Sequence, residues 1–238
     1  MRVLIFFIAI LETLSLTPAK AASLRVAPVL IDLTAPTAAS SLRIWNDAKQ
    51  PVDVQVRIYR WRQTGGVDAY TPATDVMVSP PMSRLRPGGE NMVRVVRTSK
   101  KPVSGEESYR LIVDELPDNG TQRSGTVSLV VRHSIPVFFS QPGIAPESTT
   151  WSVVRRANGY QVTVSNKGDK RLRVSDLSLE AANGPVASEK GLVGYILGQS
   201  SMSWLVPGKH NVQAGGSLKI SAQSEAGRLD EQVRVRSN

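Results

Sequence analysis

The sequence predicts an all-β protein built as two β-sandwiches. Three observations lead there. Runs with period-2 apolar alternation recur along most of the chain, separated by Gly, Pro, Asn and Asp. Hydrophobic residues make up 41% of the 238 positions, which supports real cores and argues against wholesale disorder. Near the middle, "SQPGIAPEST" places two prolines and a glycine within ten residues and divides the runs into two series.

Residues 1–21 read as a secretory signal. Arg2 supplies the positive start, Val3 to Leu11 the apolar run, and Ala19-Lys20-Ala21 the small-x-small cleavage pattern after Pro18. A nine-residue apolar run is too short to span a bilayer, which takes about 20 residues. Residues 22–142 carry the first series: "SLRVAPVLIDL" (23–33), "SSLRIWND" (40–47), "VDVQVRIYRW" (52–61), "ENMVRVVR" (90–97), "ESYRLIVDEL" (107–116) and a long run from Val127 to Phe139. About seven strands in about 120 residues suggest an immunoglobulin-like sandwich. Residues 143–238 carry the second series: 150–156, 159–166, 171–180, 192–197, 217–223 and 231–237, a second and smaller sandwich. Two such domains joined by a short elbow would leave a cleft between them.

Composition removes several function classes. The formal charge is +9, or +8 once Arg2, Lys20 and Glu12 leave with the signal. The basic residues are dispersed, with no Lys/Arg run longer than two and no nucleic-acid motif, so no nucleic-acid partner is expected. No later segment is long and apolar enough to span a membrane as a helix. The absence of cysteine excludes disulfides, thiol catalysis and cysteine-ligated metals. No nucleophile elbow, phosphate loop or zinc-protease motif appears. His133 and His210 have no carboxylate motif beside them and read as structural or solvated. Asp114, Glu115 and Asp118 lack calcium-loop spacing and read as a solvated turn. The expectation is a non-enzyme without metal or cofactor.

The long run "GTVSLVVRHSIPVFFSQPG" is the unusual feature. Its odd positions, Val127, Leu129, Val131, Ile135, Val137 and Phe139, are apolar, with His133 the exception. At ~3.3 Å per residue, thirteen residues would extend about 40 Å. Pro136 lacks an N–H and points to a sheet edge. A long apolar edge is an aggregation hazard unless another chain covers it.

"SPPMSRLRPGGENMVRVVR", "ESYRLIVDELP", "SIPVFFSQP" and "VSNKGDKRLRVSDLSL" resemble, in order and spacing, segments of the PapD-like periplasmic chaperones of chaperone–usher pili. The resemblance runs over nearly the whole mature chain. It implies a boomerang of two immunoglobulin-like domains that folds and stabilises pilus subunits in the periplasm. The strand missing from the subunit would be supplied by Val127, Leu129 and Val131, and the complex handed to an outer-membrane usher. Better-known members anchor the C-terminal carboxylate of the subunit with an arginine and a lysine. Here Pro28 and Pro136 stand at those positions, as the "SYRL" and "IPVFF" segments resemble the archaic branch. The anchor is then expected at Arg110, with Arg132 as the second candidate. A strand arginine such as Arg94, Arg110 or Arg132 can also simply cover an outer face with its stem. A secreted two-domain adhesive or structural module is the alternative, since a sandwich does not fix function.

Overall fold

The computed structural model describes residues 24–117, 129–208 and 212–236, which form seventeen strands and no helix. The first ten are β1 (Leu24–Ala27), β2 (Ile31–Thr34), β3 (Ala39–Asn46), β4 (Val52–Thr64), β5 (Val67–Pro72), β6 (Val76–Ser79), β7 (Met82–Leu85), β8 (Glu90–Arg97), β9 (Glu106–Leu116) and β10 (Arg132–Ser140). One sheet runs β1-β3-β8-β6; the other runs β2-β10-β9-β4-β5, with β7 also on β4. Leu42, Ile44, Val93 and Val95 from the first sheet meet Val54, Val56, Leu111, Val113, Val137 and Phe139 from the second in one buried core. Each set occupies alternate positions of its strands, as two facing sheets require.

The run expected as a single strand over 23–33 is two strands. β1 pairs antiparallel with β3, whereas β2 pairs parallel with β10 in the opposite sheet. Pro28 lies in the crossing between them, where a residue without an N–H loses no ladder bond. The strands β5, β6 and β7 have no counterpart in the sequence expectation. β5 is exposed along its whole length, so its sequence carries no alternation to read.

The remaining strands are β11 (Thr149–Arg156), β12 (Gly159–Asn166), β13 (Leu172–Ala181), β14 (Gly184–Ile196), β15 (Ser200–Pro207), β16 (Ser217–Ser224) and β17 (Gly227–Arg236). They follow the order β14-β13-β16-β17-β11-β12-β15. β17 pairs with β16 from Gly227 to Arg234, then turns its last two residues to β11. That switch closes the strands around a second core of Val153, Val162, Val164, Leu177, Leu179, Leu218 and Ile220. β15 was not expected from the sequence, and the run expected at 192–197 is the end of the much longer β14. A buried asparagine pins a turn in each sandwich: Asn46 Nδ2 donates to the carbonyls of Gln50, Leu85 and Arg86, and Asn166 Nδ2 to those of Lys170 and Leu197. Buried amides satisfied this way fix the loop that supplies their acceptors.

The two sandwiches touch through a separate small cluster: Trp61 and Phe138 from the first, Tyr195 and Leu197 from the second, with Leu30 packed against them. Beside it, Arg171 is almost wholly buried. Its guanidinium donates to Glu106, to Asp32 at 2.7 Å and to Glu225 at 3.2 Å, and lies 3.7 Å from the Phe138 ring centroid. Burial pushes the Glu106 carboxyl above the ordinary carboxylate range, against the opposing pull of Arg171.

Candidate functional site

The strand β10 has two distinct faces. Ile135, Val137 and Phe139 enter the first core, while Phe138 enters the junction between the sandwiches. The core-facing parity continues outward through His133 and Val131 to Leu129. Val131 is half-buried against the core, and the His133 ring nitrogen lies 2.8 Å from the Leu24 carbonyl oxygen. Leu129 is 89% exposed and Val130 half exposed. The apolar stripe therefore runs past the end of its own core into solvent. Val127, the first of the three expected donor residues, lies outside the described residues, as do His210 and Asp118.

One edge of β10 is filled by β9, rung by rung from Arg132–Asp114 to Ser140–Glu106. The other edge is paired by β2 only from Val137 to Ser140. Ahead of Val137 no described strand covers it. Pro136 causes no interruption of the β9 pairing. Glu115 N donates to Val131 O across the ladder, so the odd rungs carry the bonds and the even rungs turn their backbone groups away. The Pro136 nitrogen therefore faces the open edge, where its missing N–H costs no bond to β9.

On the face opposite the core, Arg110 sits directly across from Pro136 on one side and Tyr59 on the other. Its guanidinium carbon lies 3.9 Å from the Trp61 ring centroid and 5.6 Å from that of Tyr195, within cation–π reach of a ring from each sandwich. Its Nε is buried without a hydrogen-bond partner, and Arg110 takes part in no ion pair among the described residues. Trp61 Nε1, Gln63 Nε2 and the Tyr70 hydroxyl all donate to Asp68, at 2.8, 3.0 and 3.1 Å. Burial and the Asp68 charge raise the Tyr70 phenol above its usual range, with Arg110 pulling the other way. Gln63 then reaches the second sandwich: Nε2 donates to Tyr195 O at 2.8 Å and Oε1 accepts from Leu197 N at 2.8 Å.

Arg132 has a different fate. Asp114 is buried, accepts from both Arg132 and Arg57, and is not the solvated turn residue the sequence suggested. Burial pushes its carboxyl up, but the bonds and charges of Arg132 and Arg57 outweigh that and hold it below the ordinary range. An arginine already committed to a buried carboxylate is poorly placed to bind another. Arg94 lies on the exposed outer face of β8. Trp61, Gln63, Asp68, Tyr70 and Tyr195 were not singled out in the sequence. One signal was available: the core parity of β4 is Val52, Val54 and Val56, yet Tyr59 and Trp61 fall on the opposite parity, placing two aromatics on the non-core face. Among the described residues no cluster of His, Cys, Asp or Glu could hold a metal ion.

Fold and site together define a two-domain immunoglobulin-like binding protein with an open apolar strand edge. The family model for pili and flagellar-assembly chaperones, PapD N-terminal domain, matches residues 23–145. The chain belongs to that family, and it is a chaperone of pilus assembly. Among solved structures it is similar to the CsuC–CsuE chaperone–tip adhesion subunit pre-assembly complex from archaic Csu pili of Acinetobacter baumannii, at 24% identity over 91% of this chain and 100% of the other, with a TM-score of 0.67. It is also similar to the Salmonella enterica SafA pilin–SafB chaperone complex, at 18% identity over 90% and 97% with a TM-score of 0.61. A third is the Pseudomonas aeruginosa CupB2 chaperone, at 16% identity over 89% and 100% with a TM-score of 0.57. No curated protein sequence matches the chain.

Proposed function

We propose that this protein binds pilus subunits in the periplasm by donor-strand complementation and delivers them to an outer-membrane usher. The observation that carries the reading is the exposed Leu129 on an apolar stripe whose Val131 is half-buried and whose Ile135, Val137 and Phe139 are buried at home. The donor residues are Val127, Leu129 and Val131. A guest strand on the open edge of β10 would gain backbone bonds from the edge and side-chain burial from the stripe. Each donor side chain would contribute about 1.5–3 kcal/mol when fully buried, before the cost of association.

Arg110 is the anchor for the C-terminal carboxylate of the subunit in this proposal. A flat guanidinium without an ion-pair partner, held against an aromatic ring, can offer a carboxylate two parallel bonds. Arg132 is the lesser candidate because Asp114 already holds it. From Pro136, beside Arg110, back to Leu129 is seven residues, or about 23 Å if extended, enough for a guest strand to be fixed at its end and threaded along the edge. The domains in this proposal are residues 22–142, which donate the strand, and 143–238, with residues 1–21 as the export signal. The anchor's placement on β9 suits the archaic branch.

The test is co-expression with any pilus subunits encoded beside this gene, followed by purification from the periplasm. A 1:1 complex is expected. Failure to recover one with any neighbouring pilin, or a complex structure with no strand added to either partner, would overturn the reading and favour an adhesive module.

A further inference from the structure

The residues around Arg110 form a chain of contacts that starts in one sandwich and ends in the other. Trp61 lies under the guanidinium and packs edge-on against Tyr195, with ring centroids 5.6 Å apart at 82°. Asp68 fixes the Trp61 indole N–H and the Gln63 amide through one carboxylate oxygen, Oδ1. Gln63 in turn clamps the backbone at both Tyr195 and Leu197, acting as one further rung between β4 and the end of β14. The hairpin formed by β4 and β5 extends this tie, because Gly66 at its turn bridges Met202 on β15. The Arg110 guanidinium thus lies against a ring of its own sandwich and within reach of a ring of the other. The backbone carrying that second ring is held by a side chain two residues beyond Trp61.

We infer that Gln63 and Tyr195 are positioning residues for Arg110: docking of the second sandwich completes the carboxylate site, so selection of a free pilin C-terminus depends on the contact between the two bodies. This rests on the anchor reading of Arg110. Neither residue needs to touch the pilin. A guanidinium that stacks on one ring can still tilt about it, and two parallel bonds to a planar carboxylate tolerate little tilt. The second ring and the Gln63 clamp remove that freedom. A carboxylate arriving at Arg110 would then meet a donor already oriented, and binding would lose less conformational entropy.

The experiment uses the full-length chaperone, co-expressed with a neighbouring pilin in two forms: one with its native C-terminus and one extended by two glycines, which moves the carboxylate away from its native place. The readout is the ratio of native to extended pilin recovered with the chaperone. Wild type should favour the native form. Gln63→Ala and Tyr195→Ala should each lower that ratio by about fivefold or more, the lower end of typical coupling between linked sites. Tyr195→Phe should retain the ratio, since the ring is kept. A merely structural role would lower recovery of both forms equally and leave the ratio unchanged, which overturns the inference while the anchor reading stands. Gln63 is only half-buried, so its variant keeps the test valid if Tyr195→Ala does not fold. A wild type that captures both forms equally overturns the anchor reading and this inference together.

Discussion

Pro136 and Arg110 are direct cross-strand partners, occupying the same rung of the β10–β9 pairing. The rung is one whose backbone groups turn away from the partner strand, so the proline disturbs nothing and the two side chains share the face opposite the core. Pro136 thus has an arginine at its side, on the neighbouring strand. Replacing Arg110 with Ala should weaken pilin capture roughly ten- to a hundredfold, the equivalent of about 1.5–3 kcal/mol for bonds to a charged group. Arg110→Lys should recover only part of it, because an ammonium neither stacks flat on Trp61 nor forks to a carboxylate. Equilibrium binding of purified pilin to each variant measures both.

Leu129 offers a test of the donor stripe that folding cannot confuse. At 89% exposure it makes little of the home core. Leu129→Asp should leave thermal stability within about 0.5 kcal/mol of wild type and abolish recovery of the chaperone–pilin complex. Thermal denaturation and periplasmic co-purification, run side by side, separate the two effects.

The ion cluster at the junction should dominate stability. Arg171 and Glu106 are each about 1% exposed in their side chains. Arg171→Met leaves Glu106 buried without its cation, and breaking such a pair typically costs about 3–5 kcal/mol. Adding Glu106→Gln to that variant should restore much of the loss, since the orphaned charge is removed. Chemical denaturation of the three proteins gives the comparison.

Acid should reveal Asp114. Its folded-state ionisation lies below that of the unfolded chain, so in acid the unfolded state binds the extra proton and stability rises with pH there. The contribution is fully present above the unfolded value, near pH 4 on ordinary carboxylate chemistry, and is lost as pH falls through the depressed folded value. Asp114→Asn should be less stable at neutral pH and show a shallower decline on acidification. Denaturation midpoints between about pH 2 and 6 would show whether the two curves converge at the acid end.

Much of this protein is written locally. Alternation in "VDVQVRI", "ENMVRVVR" and "GYQVTVSN" marks strands because the period of side-chain direction is a property of neighbours two apart. The dividing segment after Phe139 and the parity of Leu129 and Val131 could be read in the same way. β5 could not, because a strand exposed on both faces leaves no pattern. The sequence by itself determined the strands with one buried face, the division into two series and the apolar stripe that outruns its core. Only the tertiary structure decided which arginines pair with acidic residues of the chain itself. Asp114 takes Arg132 and Arg57, the latter 57 residues away, while Glu106 and Arg171 find each other across 65. Trp61 and Tyr195 meet from separate sandwiches to hold Arg110. Alternation is fixed by the backbone within a few residues, but the partner of a charge depends on register and docking, which distant segments settle together.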